Sequence, residues 1–144
     1  MVVPGTQLDG SMTITEIAFE RASIGSPSVL MYGFKIALSE AGGEELGRDF
    51  GKNIAEDSSF EVVFSSSRAT AADNGEGRII FTLDTPYEYN GGNLLIDMSY
   101  TGIEGSMYVW CWAPDGYRLL TANGADSTEG VVFPLVPVVI ITGE

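Results

Sequence analysis

Tyr108, Trp110 and Trp112 occupy every second position of Ser106–Ala113. In an extended strand, all three rings then share one face. Turned outward, the row is a flat platform on which the apolar faces of sugar rings can stack. Turned inward it is core, and large aromatics at strict alternation read first as core. Tyr32, Tyr87, Tyr89 and Tyr117 would extend a binding patch, although tyrosine is common in any strand.

Oxygen ligands are the second group. Asp73-Asn74-Gly75-Glu76-Gly77 gathers acidic and amide oxygens around glycine, and Asp73, Asn74 and Glu76 are the candidate ligands of a Ca²⁺ ion. The segment lacks the full Asp-x-Asp-x-Asp-Gly spacing with a distal Glu, so a solvated hairpin tip competes with that reading. Glu40, Glu44, Glu45 and Asp49 form a further acidic patch, and Asp57, Asp126 and Glu129 are additional loop carboxylates that would serve calcium between loops. Glycoside hydrolysis needs two carboxylates ~5–9.5 Å apart in a cleft. Glu61 stands alone on its strand, and no acidic run offers such a pair.

Other catalytic chemistry lacks its parts. There is no histidine, which removes Ser-His-Asp and Cys-His catalysis and the common zinc sites. Neither a Gly-x-Ser-x-Gly elbow nor a phosphate loop is present. Cys111, the single cysteine, can form no intrachain disulfide. Between two tryptophans it reads as a buried small hydrophobe. No catalytic residue is expected.

Twenty acidic residues against seven basic ones give a net charge of −13. Such a surface repels nucleic acid and anionic membranes. Cations, neutral polysaccharides and other proteins remain as partners. No apolar run approaches the ~20 residues of a membrane span.

The third constellation is the run Val131, Val132, Phe133, Leu135, Val136, Val138, Val139, Ile140 and Ile141. Pro134 and Pro137 keep it out of a central strand. It is too apolar for a bare edge and must be covered. One way to cover it is strand addition, in which the end of one copy completes the sheet of the next. Head-to-tail donation does not close and builds a filament or tube. Eleven residues at ~3.3 Å each reach about 36 Å, enough to cross a neighbouring copy. A last strand paired within its own chain is the plain alternative.

These groups need a scaffold. The 144 residues are 44% hydrophobic and 19% charged, with 18 glycines and 6 prolines. That composition describes one packed domain over residues 1–144, rich in turns. Alternating segments recur between Gly/Asn/Asp/Ser clusters: Met12–Arg21, Val29–Ser39, Ser59–Ser65, Arg78–Asp84, Asn93–Tyr100, Ser106–Ala113, Tyr117–Thr121 and Val131–Thr142. Leu30, Tyr32, Phe34, Ile36 and Leu38 would face the core, as would Phe60, Val62 and Phe64. Ile14 is out of phase with Ile17 and Phe19, which marks a bulge. Glu44–Asn53 is the one helical candidate, no more than a surface turn. The expected fold is all-β, a single antiparallel β-sandwich of jelly-roll type with about eight strands. Segments 1–11 and 131–144 are the candidate strand-exchange termini.

Pro86-Tyr87-Glu88-Tyr89-Asn90-Gly91-Gly92-Asn93-Leu94-Leu95-Ile96-Asp97 resembles a motif of secreted bacterial β-sandwich modules in surface proteins with PEP-CTERM-type or type-IX-type sorting tails. That motif runs Pro-Phe-x-Tyr-x-Gly-Gly-Asn-Leu-Leu-x-Asp, with Tyr87 here in place of Phe. Ile14–Phe19, Ile36–Ser39 and Phe50–Asn53 add matches, over about residues 13 to 122. The resemblance implies a secreted, non-catalytic module of the cell surface or matrix. No sorting tail follows, and the apolar Val131–Ile141 segment stands in its place. Physically, Asn90-Gly91-Gly92 is a turn needing positive φ, Leu94 and Ile96 enter the core, and Asp97 points the other way to accept backbone hydrogen bonds. The combined expectation is an extracellular structural protein that self-assembles through a terminal strand. A carbohydrate-binding or adhesive module, with or without calcium, is the alternative.

Overall fold

The computed structural model describes residues 1–144, and the chain is all-β with antiparallel pairing throughout. The strands are β1 (Val2–Val3), β2 (Met12–Gly25), β3 (Ser28–Glu40), β4 (Glu61–Ala72), β5 (Arg78–Tyr89), β6 (Leu94–Ser99), β7 (Gly102–Glu104), β8 (Met107–Val109), β9 (Cys111–Trp112), β10 (Leu119–Thr121), β11 (Val131–Phe133), β12 (Val136–Pro137) and β13 (Val139–Gly143). One sheet has the order β1-β6-β3-β4 with β7 also on β3; the other has the order β13-β2-β5 with β8 also on β2. Two small ladders, β10-β11 and β9-β12, complete the pairing.

Thirteen strands replace the expected eight. The prolines divide the final apolar segment into β11, β12 and β13, because Pro134 has no N–H for a ladder. Very short strands such as β1 and β7 leave no legible alternation. Between Glu44 and Asn53 only a 3-10 turn, Gly51–Asn53, forms, as the brevity of the segment predicts. No helix is long and apolar enough to cross a membrane.

One apolar core joins the two main sheets. Ile14, Ile17 and Phe19 of β2 and Ile79, Phe81 and Leu83 of β5 are buried with Phe34, Ile36 and Leu38 of β3 and Leu94 and Ile96 of β6. Phe34 lies at its centre, with ring centroids 5.2 Å from Phe81 and 5.7 Å from Phe64. The bulge expected near Ile14 is present as a register shift between Ile14 and Glu16 on the β5 side. Against β13 the same step leaves Thr15 as an extra residue, with Glu16 opposite Thr142 and Ile14 opposite Gly143, and this returns Ile14 to the inward face.

Two inward faces differ from the alternation in the sequence. In β3 the residues that enter the main core are Val29 and Met31, then Phe34, Ile36 and Leu38, while Leu30 and Tyr32 are half-exposed. The change of phase falls at Gly33, whose φ is +56°. In β4, Val63 is buried and Val62 is 54% exposed, the reverse of expectation. The ladder slips there: Ile36 faces Phe64, but Ala37 faces Val62, which leaves Val63 as the extra residue turned inward.

A second layer covers the outer face of the first sheet. Val2, Ala41, Leu46, Leu95 and Leu120 form a smaller buried cluster, flanked by Phe50, Ile54, Phe60 and Val132. Asn53 locks the covering loop. Its amide donates to the carbonyls of Gly47 and Asp49 and accepts from the Gly47 N–H.

Candidate functional site

The aromatic row lies on a strand that changes partners. β8 begins on β2, with Met107 opposite Gly25 and Val109 opposite Arg21. β9 then pairs with β12, placing Cys111 opposite Pro137 and Trp112 opposite Val136. Trp110 stands at the crossing. Its N–H donates to the Glu20 carbonyl at 2.9 Å, and its carbonyl accepts from Val138 N–H at 2.8 Å. Glu20 N–H in turn donates to the Val138 carbonyl at 3.2 Å. Three segments are thus tied at one point.

Alternation along this strand puts Met107 and Val109 against the core. The other phase points to solvent: Tyr108 is 52%, Trp110 56% and Trp112 41% exposed. The expectation of a buried aromatic face is therefore corrected, because the smaller Met and Val side chains fill the inward positions instead. Three large exposed rings on one strand are unusual for a solvated surface, and exposed apolar patches tend to mark binding surfaces. Tyr117, at 49%, is also exposed, whereas Tyr87 and Tyr89 are buried in the core and add nothing to the patch.

Gly25 fits this strand closely. Its φ is +78°, and a Cβ there would lie 2.7 Å from the Ser106 carbonyl oxygen and 2.8 Å from the Tyr108 ring. Gly25→Ala is expected to displace β8 and lower stability by about 1–3 kcal/mol, read from the midpoint of denaturant unfolding.

Cys111 is exposed rather than buried. Its surroundings raise the thiol pKa by desolvation, so the thiol stays protonated and is a poor nucleophile.

The Asp73 loop uses its oxygens internally. Asp73 Oδ1 accepts from the Gly75 and Gly77 N–H groups, and Asn74 Oδ1 from those of Glu76 and Arg78. Asp73 Oδ2 pairs with Arg21 Nη1 at 3.1 Å. The oxygens offered to Ca²⁺ by Asp73 and Asn74 are the ones that hold the turn. Asp49 is used similarly, its Oδ1 accepting from the Gly51 and Lys52 N–H groups. No three acidic or cysteine side chains converge on a point that could hold a metal.

The backbone donors of Gly75 and Gly77, and then Arg21, hold the Asp73 carboxyl below its ordinary pKa. A carboxylate favoured in the folded state stabilises at neutral pH, and that contribution is lost as pH falls through its lowered pKa. Asp73→Ala is expected to lower the melting temperature at pH 7. The gap to the unsubstituted chain should narrow in acid, as thermal melts across pH will show.

The terminal segment pairs within the chain. β13 lies on β2, with Val139 opposite Phe19, Ile140 opposite Ala18 and Ile141 opposite Ile17. Glu144 and Thr13 exchange both backbone hydrogen bonds beyond it. Val139 and Ile141 flank the main core and Val132 the smaller one, while Val136 is 2% exposed. Val131, Phe133 and Leu135 stay exposed, so the segment is covered only in part by its own chain.

The motif at residues 86–97 has a structural role. Gly91 has φ +93°, and Asn93 Oδ1 accepts from the Gly5 N–H. The Tyr89 hydroxyl donates to the Gly92 carbonyl. Asp97 does point away from Leu94 and Ile96, but its carboxylate accepts no backbone hydrogen bond. It lies half-buried in a cleft of about 540 Å³ between β6 and the covering layer. Burial raises its pKa, and the neighbouring Met1 amino group opposes that rise. Spacing alone gave no sign of this cleft, since its walls come from six separate parts of the chain, from Met1 to Pro137. No family model, curated protein or solved structure matches the chain.

Proposed function

We propose that the chain is a non-catalytic, extracellular β-sandwich of jelly-roll type that acts by surface contact, with Tyr108, Trp110 and Trp112 as a carbohydrate-binding or adhesive platform. The exposure of all three rings on one strand carries this reading. Aromatic faces stack on the C–H surfaces of sugar rings, and neutral polysaccharide escapes the repulsion of a −13 surface. The Asp73 carboxylate is already engaged by the Gly75 and Gly77 N–H groups and by Arg21, so binding is expected to proceed without calcium. The resemblance of residues 86–97 to secreted surface modules supports the extracellular assignment.

The test is tryptophan fluorescence during titration with soluble polysaccharides in chelator. Quenching is expected, and Trp110→Ala should weaken it by about thirtyfold, roughly 2 kcal/mol. Unchanged fluorescence across neutral and acidic polysaccharides would overturn the platform.

A second reading is self-assembly by exchange of the terminal strand into filaments, tubes or layers. One observation favours it: β13 is an edge strand held by a single partner, β2. A second copy can offer the same β2 edge in the same register. Light scattering of the purified chain should then show mass growing with concentration. A monomer at every concentration would exclude it.

A further inference from the structure

One end of the sandwich is closed by polar groups. Phe34, Ile36 and Leu38 of β3 face the core, and the next position in that phase is Glu40. Glu40 stands opposite Leu94 of β6, which is buried. On the other side of β3, Glu61 of β4 stands opposite Leu38. Glu40 and Glu61 are therefore diagonal neighbours on one face of adjacent strands, their Cβ atoms roughly 7 Å apart or less. From the second sheet, Tyr87 and Tyr89 of β5 fill the same end of the core.

The two tyrosines differ in what they bind. The Tyr89 hydroxyl donates to the Gly92 carbonyl. That turn passes beside Glu40, since a Cβ on Gly92 would lie 3.9 Å from the Glu40 carboxyl carbon. Tyr87 is 7% exposed, yet its hydroxyl has no hydrogen-bond partner. Burial, then the charges of Glu61 and Glu40, raise its pKa. Both carboxylates thus lie close to that oxygen, and no basic group offsets them. The ion pairs of the chain are Arg21–Asp73 and Lys52–Asp49, so neither Glu40 nor Glu61 is in one. Two like charges beside an unpaired buried hydroxyl destabilise the fold unless a cation joins them.

The donors are all oxygens. The chain has no histidine, and Cys111 lies on β9 opposite Pro137. Hard oxygen donors select a hard cation, and bonds of about 2.3–2.6 Å in flexible geometry suit Ca²⁺ better than the smaller Mg²⁺. Two carboxylates balance its charge.

We propose that Glu40, Glu61 and the Tyr87 hydroxyl form a Ca²⁺ site that ties β3 and β4 to β5 across the end of the core, with water completing the shell. With two carboxylates the affinity belongs in the ~0.1–1 mM range. The site depends on neither the aromatic platform nor exchange of β13. The Asp73 loop lies at the opposite end of β4 and β5.

The test is calorimetric titration of the full chain with CaCl₂ at ~0.15 M salt, which screens the net charge. One ion per chain is expected, and the Tyr87 ring resonances should shift with the same dependence on Ca²⁺. Glu40→Gln and Glu61→Gln should each weaken binding at least about tenfold, and Tyr87→Phe about threefold. Glu76→Gln removes the same charge from the exposed hairpin at the far end and should leave binding unchanged. Glu61 is exposed, so its variant folds whether or not the site exists. In chelator Glu61→Gln should melt above the unsubstituted chain, because repulsion is relieved. Added Ca²⁺ at ~10 mM should raise the melting temperature of the unsubstituted chain but hardly that of the variant. Equal shifts with Mg²⁺ and Ca²⁺, or equal losses in the Glu76 and Glu61 variants, would show counterion screening only and overturn the site. So would no saturable binding by ~10 mM, or binding that both glutamate variants leave intact. A shift of the Tyr87 resonances by N-acetyl-lysine methylamide but not by Ca²⁺ would assign the carboxylates to a partner's lysine and also overturn it.

Discussion

A chain ending at Pro137 is expected to lose cooperative folding. The deletion removes β13 from β2 and takes Val139 and Ile141 from the flank of the core. It also removes four backbone hydrogen bonds beyond the ladder, two between Thr13 and Glu144 and two at Val138. At ~1 kcal/mol net for each bond and ~1 kcal/mol or more for each half-buried side chain, the loss is on the order of 5 kcal/mol. That is comparable with the whole stability of a typical domain. Circular dichroism and a thermal melt will show it as a lost or strongly lowered transition. A truncated chain that melts as the intact one does would mean that β13 is a detachable appendage. Strand exchange would then be the better account of the terminus. Adding a synthetic peptide of residues 138–144 to the truncated chain should restore part of the transition, because the β2 edge would remain to receive it.

Phe34→Ala is the largest single substitution expected. The side chain is 1% exposed and its ring meets Phe64 and Phe81 in tilted geometry. Truncating a buried phenylalanine costs ~3–5 kcal/mol, because the transfer free energy is lost and the surrounding rings collapse only partly. The aromatic pairs add to that figure rather than repeat it. Urea unfolding should show a lower midpoint with an unchanged slope. Phe34→Leu should recover most of the difference, as it returns most of the volume.

The sequence was most informative where one residue per turn of the alternation could be read on both sides of a strand. Residues 29–39 and 78–84 announced strands because Phe34, Ile36 and Leu38, and Ile79, Phe81 and Leu83, recur at every second position, and Ile14 announced a bulge because it breaks phase with Ile17 and Phe19. The phase of β3 and β4 was not legible. Gly33 and the slip at Val63 each reverse which side is inward, and neither reversal leaves a mark in hydrophobicity. The single strand expected for the aromatic row is two short strands, β8 and β9, with Trp110 between them, and the orientation of the rings depended on what fills the other side. Met107 and Val109 are apolar enough to be the inward face, so both phases of 107–112 could serve as core, and only tertiary packing selects one. The Asp73 loop was recognised as a cluster of oxygens. Whether those oxygens serve a cation or the turn depends on backbone N–H directions that composition does not encode. Asp97 points away from the core as alternation predicts, yet the cleft it enters is assembled from stretches scattered between Met1 and Pro137.

The knot of hydrogen bonds among Glu20, Trp110 and Val138 links the solvent-facing rings to the end of the chain. A local opening that frees Val138 also releases the carbonyl of Trp110, so the rings lose their fixed spacing whenever the terminus frays. Mechanical load applied at Glu144 would fall first on its bonds with Thr13 and then on the β13–β2 ladder, and would reach the Trp110 carbonyl only once these had parted.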